Sequence, residues 1–362
     1  MKFSLELLYT ASALGRGNVE TLANLLEGRA PGMAEISGDI PGRSVWFGGV
    51  PGELEPVGEG NLDIRSNRLL KLAVDGSRGA FAALVGKYGS DRIGIVLGAS
   101  NTGVDEAERF VDHWLDSGEK PAEFDFAAIE LGTPSAYLKN VLGIGGPAYV
   151  ISTACSSSAK AFASARRLIE RGICDAVITG GVDGRCRFAM NGFHALGALS
   201  EGRCRPLAPD RDGINLGEGV ALFVLEKERE GADVYLAGAG ESSDAYHATA
   251  PDPEGLGAEA SMRAAIADAG LAPSDIDYVN LHGTGTRAND EMEMKAVGRV
   301  FADAANAPRC ESTKSLTGHC LGAAGAVEAA ICCLLVRAGK CRAALSNSFA
   351  FGGSNASVVI SA

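Results

Sequence analysis

The feature that most constrains the fold of this chain is an order of residues that occurs twice. Cys155 is followed by a helix-like run of small residues, then by Arg171-Gly172-Ile173-Cys174-Asp175-Ala176, which leads into an apolar strand-like segment. His319 is followed by Gly322-Ala323-Ala324-Gly325-Ala326, then by Arg337-Ala338-Gly339-Lys340-Cys341-Arg342-Ala343, which leads into another. Two buried helix–strand units share small apolar residues by chance as well. The shared order of reactive residue, helix, glycine turn, cysteine and strand nevertheless predicts two halves of one topology. Cys155 and His319 then sit at corresponding turns facing one cleft.

The rest of the chain alternates in the same way. Arg92 to Leu97, Ala148 to Ile151, Ala176 to Thr179 and Val220 to Leu225 read as strands. Leu69 to Val85, Ser156 to Arg171, Ala258 to Ala269 and Gly322 to Ala338 read as helices. This alternation predicts an α/β protein with largely buried sheets. A length of 362 residues suits two domains or one large duplicated one.

Composition narrows the function classes. The formal net charge of −12 argues against a nucleic-acid footprint. The 48 glycines lie among apolar segments and predict tight turns and close backbone approaches. Nine cysteines without a C-x-x-C pair read as reduced thiols, the state expected in the cytoplasm. No zinc-type spacing joins them to the five histidines. Met1 to Leu14 is too short and too polar for a secretory signal, and no uncharged run reaches transmembrane length.

Four segments carry candidate chemistry. Thr153-Ala154-Cys155-Ser156-Ser157 places a cysteine between a strand and a helix. The positive end of a helix stabilises a thiolate, and its free N–H groups can hold an oxyanion. A buried core cysteine is the plain alternative. Leu281-His282-Gly283-Thr284-Gly285-Thr286 follows a strand and offers an imidazole and two hydroxyls, with a polar strand-end turn as its alternative. Ser312-Thr313-Lys314-Ser315-Leu316-Thr317-Gly318-His319 precedes an apolar helix whose Glu328 needs a partner if buried. Lys314 is the partner expected; a solvated stripe is the other reading. In Phe351-Gly352-Gly353-Ser354-Asn355 the glycines can turn an N–H into the cleft.

Together these motifs resemble the β-ketoacyl-acyl-carrier-protein synthases with a Cys-His-His site. The likeness continues through Asp210-Arg211-Asp212-Gly213, Leu216-Gly217-Glu218-Gly219 and Ser242-Ser243-Asp244-Ala245-Tyr246-His247, and runs in order from about Ile93 to the C-terminus. It implies the thiolase fold, a five-layered α-β-α-β-α architecture, internally duplicated. The halves would be 1–228, carrying Cys155, and 229–362, carrying His282 and His319. It implies an acyltransferase that performs a decarboxylative Claisen condensation of an acyl-Cys155 thioester with malonyl-acyl-carrier-protein. Cys155, His282, His319, Lys314 and Glu328 would be catalytic, with Lys314 and Glu328 supporting the histidines. The N–H groups of Cys155 and Phe351 would form the oxyanion hole. Thr284 and Thr286 would bind the pantetheine arm, and Phe351 would gate the pocket. No resident cofactor or metal is implied, because 4'-phosphopantetheine arrives on the carrier protein. The implied partners are acyl-, malonyl- and free acyl carrier protein, plus a second subunit. That subunit would be a second copy or a chain-length-factor-like paralogue.

A thiolase uses a second catalytic cysteine where this chain has a histidine, and starter-type synthases carry an asparagine. A chain-length factor typically lacks the cysteine, so Cys155 marks the catalytic member of any such pair. A cysteine hydrolase would release free acid from a thioester. Trimmed length and the Thr-Ala-Cys-Ser-Ser turn are similar to synthases of bacterial aryl polyene clusters. Met1 to Lys71 resembles the family only weakly. Asn215 stands where the family usually has an apolar residue; if it lines the acyl pocket, a polar, unsaturated or aryl-bearing chain is implied. Arg65, Arg68 and Lys71 share a helix face that is either a docking patch for an acidic carrier protein or a solvated surface. His113 and His194 match no motif and read as surface or structural.

Overall fold

The computed structural model describes residues 3–58, 62–121 and 125–362. Two five-strand arrays carry the molecule. In the first the order is Phe3–Ser12, Gly219–Lys227, Ala176–Asp183, Ile93–Gly98, Ala148–Ile151. In the second it is Tyr235–Ser243, Ser354–Ser361, Ala343–Ala350, Tyr278–Asn280, Arg309–Glu311. Pairing runs antiparallel, antiparallel, parallel, parallel across the first array. The second repeats that sequence of directions. Strand order, direction and chain order all match, so the chain is a duplication. The arrays are stitched into one sheet where Phe3 and Ser4 pair with Leu236 and Tyr235.

Three apolar layers follow from this. Between the arrays lie the corresponding helices Ser157–Glu170 and Ala324–Arg337, packed with Phe162, Phe223, Ile331 and Leu334 in one buried cluster. Outside the first array, Leu69, Leu70, Phe81 and Leu138 cover its other face. Outside the second, Met262, Ile266, Met292 and Val297 do the same. Helix, sheet, helix, sheet, helix is the five-layered order expected. Every residue of Ala324–Val336 is buried, which is why that helix carries apolar residues on every face, Glu328 excepted.

The central helices approach closely because their contact is built from small residues. Ala326 N–H donates to Ser158 Oγ at 2.8 Å. A Cβ on Gly325 would meet Ala159 N at 2.8 Å, and one on Gly98 would lie 2.2 Å from Ser158 N. The small residues after Cys155 and His319 therefore bring the two helix starts, and the turns before them, together.

Three elements differ from the sequence reading. Phe3–Ser12 is a buried strand, the one by which the first array meets the second; its alternation of Phe3, Leu5 and Leu7 is short and its main partner lies far along the chain. Leu69 to Val85 is two helices, Arg65–Asp75 and Arg78–Tyr88. They part at Gly76-Ser77, where a Cβ on Gly76 would fall 2.4 Å from the Tyr9 ring. A small sheet of Met33–Ile40, Arg43–Gly48 and Leu216–Gly217 was not foreseen. The expected boundary at 228/229 falls in the connection between Gly219–Lys227 and Tyr235–Ser243.

Candidate active site

Cys155 stands at the turn between Ala148–Ile151 and Ser157–Glu170. Ala154, just before it, adopts φ 52°, a left-handed conformation that a residue with a Cβ holds only under constraint. The constraint is a small network of hydroxyls. Thr153 N–H donates to Ser157 Oγ at 2.9 Å, and Ser156 Oγ donates to Ser354 Oγ at 3.0 Å. The latter bond ties the cysteine turn to the Phe351 segment.

His319 occupies the corresponding turn of the second half. Gly318 takes φ 66° and a Cβ there would meet Leu216 O at 2.5 Å, so only glycine fits. His319 N–H donates to Asn215 O at 2.8 Å, and Gly217 N–H donates to His319 O at 3.0 Å. The ring is thereby aimed at the sulfur: Nε2 lies 2.9 Å from Cys155 Sγ. The His282 ring stands edge-on to it, with centroids 5.3 Å apart. Cys155, His282 and His319 are all buried.

Burial dominates the electrostatics. It pushes the Cys155 thiol up to about 12, with the Lys314 ammonium opposing and Glu328 and Asp183 reinforcing. Burial first, and Lys314 second, hold both imidazoles well below their ordinary range, so both are neutral at neutral pH. Lys314 and Glu328 form an ion pair inside the protein, at 0% and 2% exposure of their side chains. Burial raises the Glu328 carboxyl while the ammonium lowers it. The pair acts on the site through its field: Lys314 bonds to Glu328, and among the described residues neither side chain is hydrogen-bonded to either ring.

Two carboxylates outside the expected catalytic set brace the site. Glu293 Oε1 accepts from His282 N–H at 2.8 Å and from Asn347 Nδ2 at 3.1 Å, and Oε2 accepts from Gly283 N–H at 2.7 Å. Burial raises it to about 7 against those hydrogen bonds. Asp183 accepts from Ser100 and Asn101 N–H and, at 2.6 Å, from Gly322 N–H, joining the first array to the start of the second central helix. Burial raises it to about 6. Glu293 follows Asp290 at a spacing of three on one helix, which was the available signal; nothing local distinguished Asp183.

Above the triad opens a pocket of about 240 Å³. Thr284, Thr286 and Phe351 line it, as do Phe193, Leu196 and Ile214. Phe351 stacks on Phe193 with ring centroids 5.6 Å apart and is 39% exposed. His247 lies outside the triad: its Nδ1 accepts from Thr249 and Ala250 N–H, shaping a loop that lines the pocket. His194 faces Arg43 at 3.2 Å, and His113 is exposed.

The structure decides two readings that the sequence leaves open. Asn215 does not line the pocket; its side chain accepts from Cys204 N–H at 2.6 Å and donates to Gly202 O, while its carbonyl holds His319. Arg65, Arg68 and Lys71 do not form a free basic face. Arg65 is bonded to buried Glu218, Arg68 to Asp63, and Lys71 to Glu55 and Asp75.

The chain matches the model of the β-ketoacyl synthase N-terminal domain over residues 83–231 and that of the C-terminal domain over 234–347. The chain belongs to the β-ketoacyl synthase family. Nodulation protein E of Rhizobium meliloti is 34% identical across 85% of this chain and 86% of its own length. The 3-oxoacyl-[acyl-carrier-protein] synthase 2 of Staphylococcus aureus is 34% identical across 75% of this chain and 77% of its own. A solved ketosynthase, ApeO, in complex with its chain length factor ApeC from Xenorhabdus doucetiae, superposes with a TM-score of 0.93 at 38% identity, covering 99% of this chain and 98% of that one. As a β-ketoacyl synthase this chain is an acyltransferase of the condensing type. The pocket above Cys155, His282 and His319 is therefore the candidate place for the two halves of that reaction.

Proposed function

We propose that this β-ketoacyl synthase loads an acyl group on Cys155 and extends it by two carbons from malonyl-acyl-carrier-protein. The contact between Sγ and His319 Nε2, beside a second neutral imidazole, carries this reading. Sγ attacks the acyl thioester carbonyl, its proton passes to Nε2, and the pantetheine thiol leaves with that proton. The N–H groups of Cys155 and Phe351 hold the oxyanion. Malonyl thioester then enters and loses carbon dioxide. Both imidazoles, neutral because they are buried, donate a ring N–H to the enolate oxygen, His319 in the tautomer that carries its proton on Nε2, without placing a full positive charge there. The carbanion attacks the acyl-cysteine, the Cys155 sulfur leaves as the thiolate and takes a proton from solvent, and 3-oxoacyl-carrier-protein departs.

Thr284 and Thr286 hold the pantetheine arm, and Phe351 against Phe193 acts as the gate. The enzyme needs no resident cofactor, since the carrier brings 4'-phosphopantetheine. Arg287 supports an acidic carrier: it is exposed between the pocket-lining residues Thr286 and Ala288 and has no ion-pair partner among the described residues. The mainly apolar wall with its stacked phenylalanines suits a flat unsaturated acyl chain of the aryl polyene kind. Among the described residues no helix is long and apolar enough to cross a membrane, in keeping with work in the cytoplasm.

A second subunit is part of the proposal. Ala148–Ile151 is an edge strand, half-buried along its length. The helix Val104–Ser117 buries none of its residues and exposes Trp114 and Leu115, with Phe188 exposed on the helix it touches. A chain-length-factor-like partner fits, with this chain as the catalytic member because it keeps Cys155; a homodimer is the other arrangement.

The test is turnover of purified protein, alone and with a candidate paralogue, on acyl- and malonyl-carrier-protein. A carrier-bound product two carbons longer, with one carbon dioxide released, is expected. Free acid released from acyl-carrier-protein with no lengthened product would replace condensation by hydrolysis.

A further inference from the structure

Three metal-ligating atoms converge in the active-site pocket. Cys155 Sγ and one ring nitrogen from each of His282 and His319 lie within 4.8 Å of one another. On a tetrahedral Zn²⁺, sulfur at about 2.3 Å and nitrogen at about 2.0–2.1 Å stand about 3.3–3.7 Å apart. The 2.9 Å between Sγ and His319 Nε2 is a little short of that, and the 4.8 Å limit a little long. Shifts of less than an ångström in two side chains reconcile them. Three protein ligands beneath an open pocket also leave a fourth position for water or an exogenous thiol. No carboxylate belongs to the cluster, so its donors suit borderline and soft ions rather than Mg²⁺ or Ca²⁺.

We infer that Cys155, His282 and His319 form a reversible inhibitory site for Zn²⁺ or a like ion, open only while Cys155 carries no acyl group. Binding forms an Sγ–Zn bond and releases the thiol proton to solvent; a chelator reverses both. An acyl thioester occupies the same sulfur lone pair, so ion and acyl donor exclude each other. Inhibition as its consequence rests on the proposed function, but occupancy of the site does not, and the test reads occupancy.

The test is Co²⁺ titration of the reduced, full-length protein, followed by absorbance. One ion per chain is expected, with the visible bands of tetrahedral cobalt and a thiolate-to-cobalt charge-transfer band. Zn²⁺ should displace it, and Mg²⁺ should not. The charge-transfer band should vanish in Cys155→Ser and in protein first alkylated at Cys155. Zn²⁺ should also slow iodoacetamide labelling of Cys155 by about tenfold or more, with recovery on adding a chelator. His282→Ala, checked for native circular dichroism, should weaken binding by about tenfold or more. An unchanged cobalt band in Cys155→Ser would assign the ion to another of the nine cysteines and overturn the inference. So would zinc-independent labelling of Cys155. A protein that binds cobalt here yet makes no condensation product would leave the metal site standing and remove the proposed reaction instead.

Discussion

At the scale of the residue, the site is governed by what burial does to charge. Lys314 and Glu328 neutralise each other where neither has water. Removing one partner strands the other, so Lys314→Ala and Glu328→Ala should each cost about 3–5 kcal/mol in denaturant unfolding. The apolar double variant Lys314→Met/Glu328→Leu should cost less than either single. If it proved the least stable of the three, the pair would be a net stabiliser of the fold.

Glu293 gives the residue scale its pH dependence. Its pKa is raised from 4.5 to about 7 in the folded protein. Folding therefore favours the protonated form; that contribution is present below about 4.5 and is lost as pH rises through about 7. Ionisation near 7 frees both oxygens to accept from His282 and Gly283. The condensation rate should rise through that pH. The histidines, already neutral, add no step there. In Glu293→Gln the step should disappear from the pH–rate profile, at a lower plateau. A variant that kept the step would move its origin to another group.

At the scale of the element, backbone proximity does what side chains usually do. Gly98 lets the Ile93–Gly98 strand lie directly on the start of the helix after Cys155. Gly98→Ala should lose about 1–3 kcal/mol through overpacking and should alter the rate at which Cys155 is alkylated. Gly86→Ala is the counterpart: it lies in the last turn of Arg78–Tyr88 and is exposed, with nothing within 4 Å of the added methyl. That change should stabilise by about 0.5–1 kcal/mol with Cys155 reactivity unchanged. Equal effects from the two substitutions would dissociate the Gly98 contact from the site.

At the scale of the whole molecule, the duplication was legible before the structure because each half repeats a local order around its reactive turn. Strand directions and the meeting of Cys155 with His319 follow from that repeat. The strand Phe3–Ser12 was not legible, since its alternation is short and its long partners begin near Val220. Nor was the burial of Asp183 and Glu293, which is decided by elements more than eighty residues apart for Asp183 and Ser100. The orientation of Asn215 was not legible either, because it is set by backbone groups of a neighbouring loop that satisfy its side chain. The exposed helix Val104–Ser117 and the edge strand Ala148–Ile151 belong to this scale too. Light scattering should find a dimer, alone or with a paralogue, and Trp114→Asp with Leu115→Asp should shift it toward monomer. A monomer in both cases would leave that face to another partner.

The most direct measurement is peptide-level mass spectrometry after brief exposure to acyl-carrier-protein. The acyl group should be found as a hydroxylamine-labile thioester on Cys155, should leave when malonyl-carrier-protein is added, and should be absent from Cys155→Ala. An acyl group on another residue, or undiminished product from Cys155→Ala, would contradict the account.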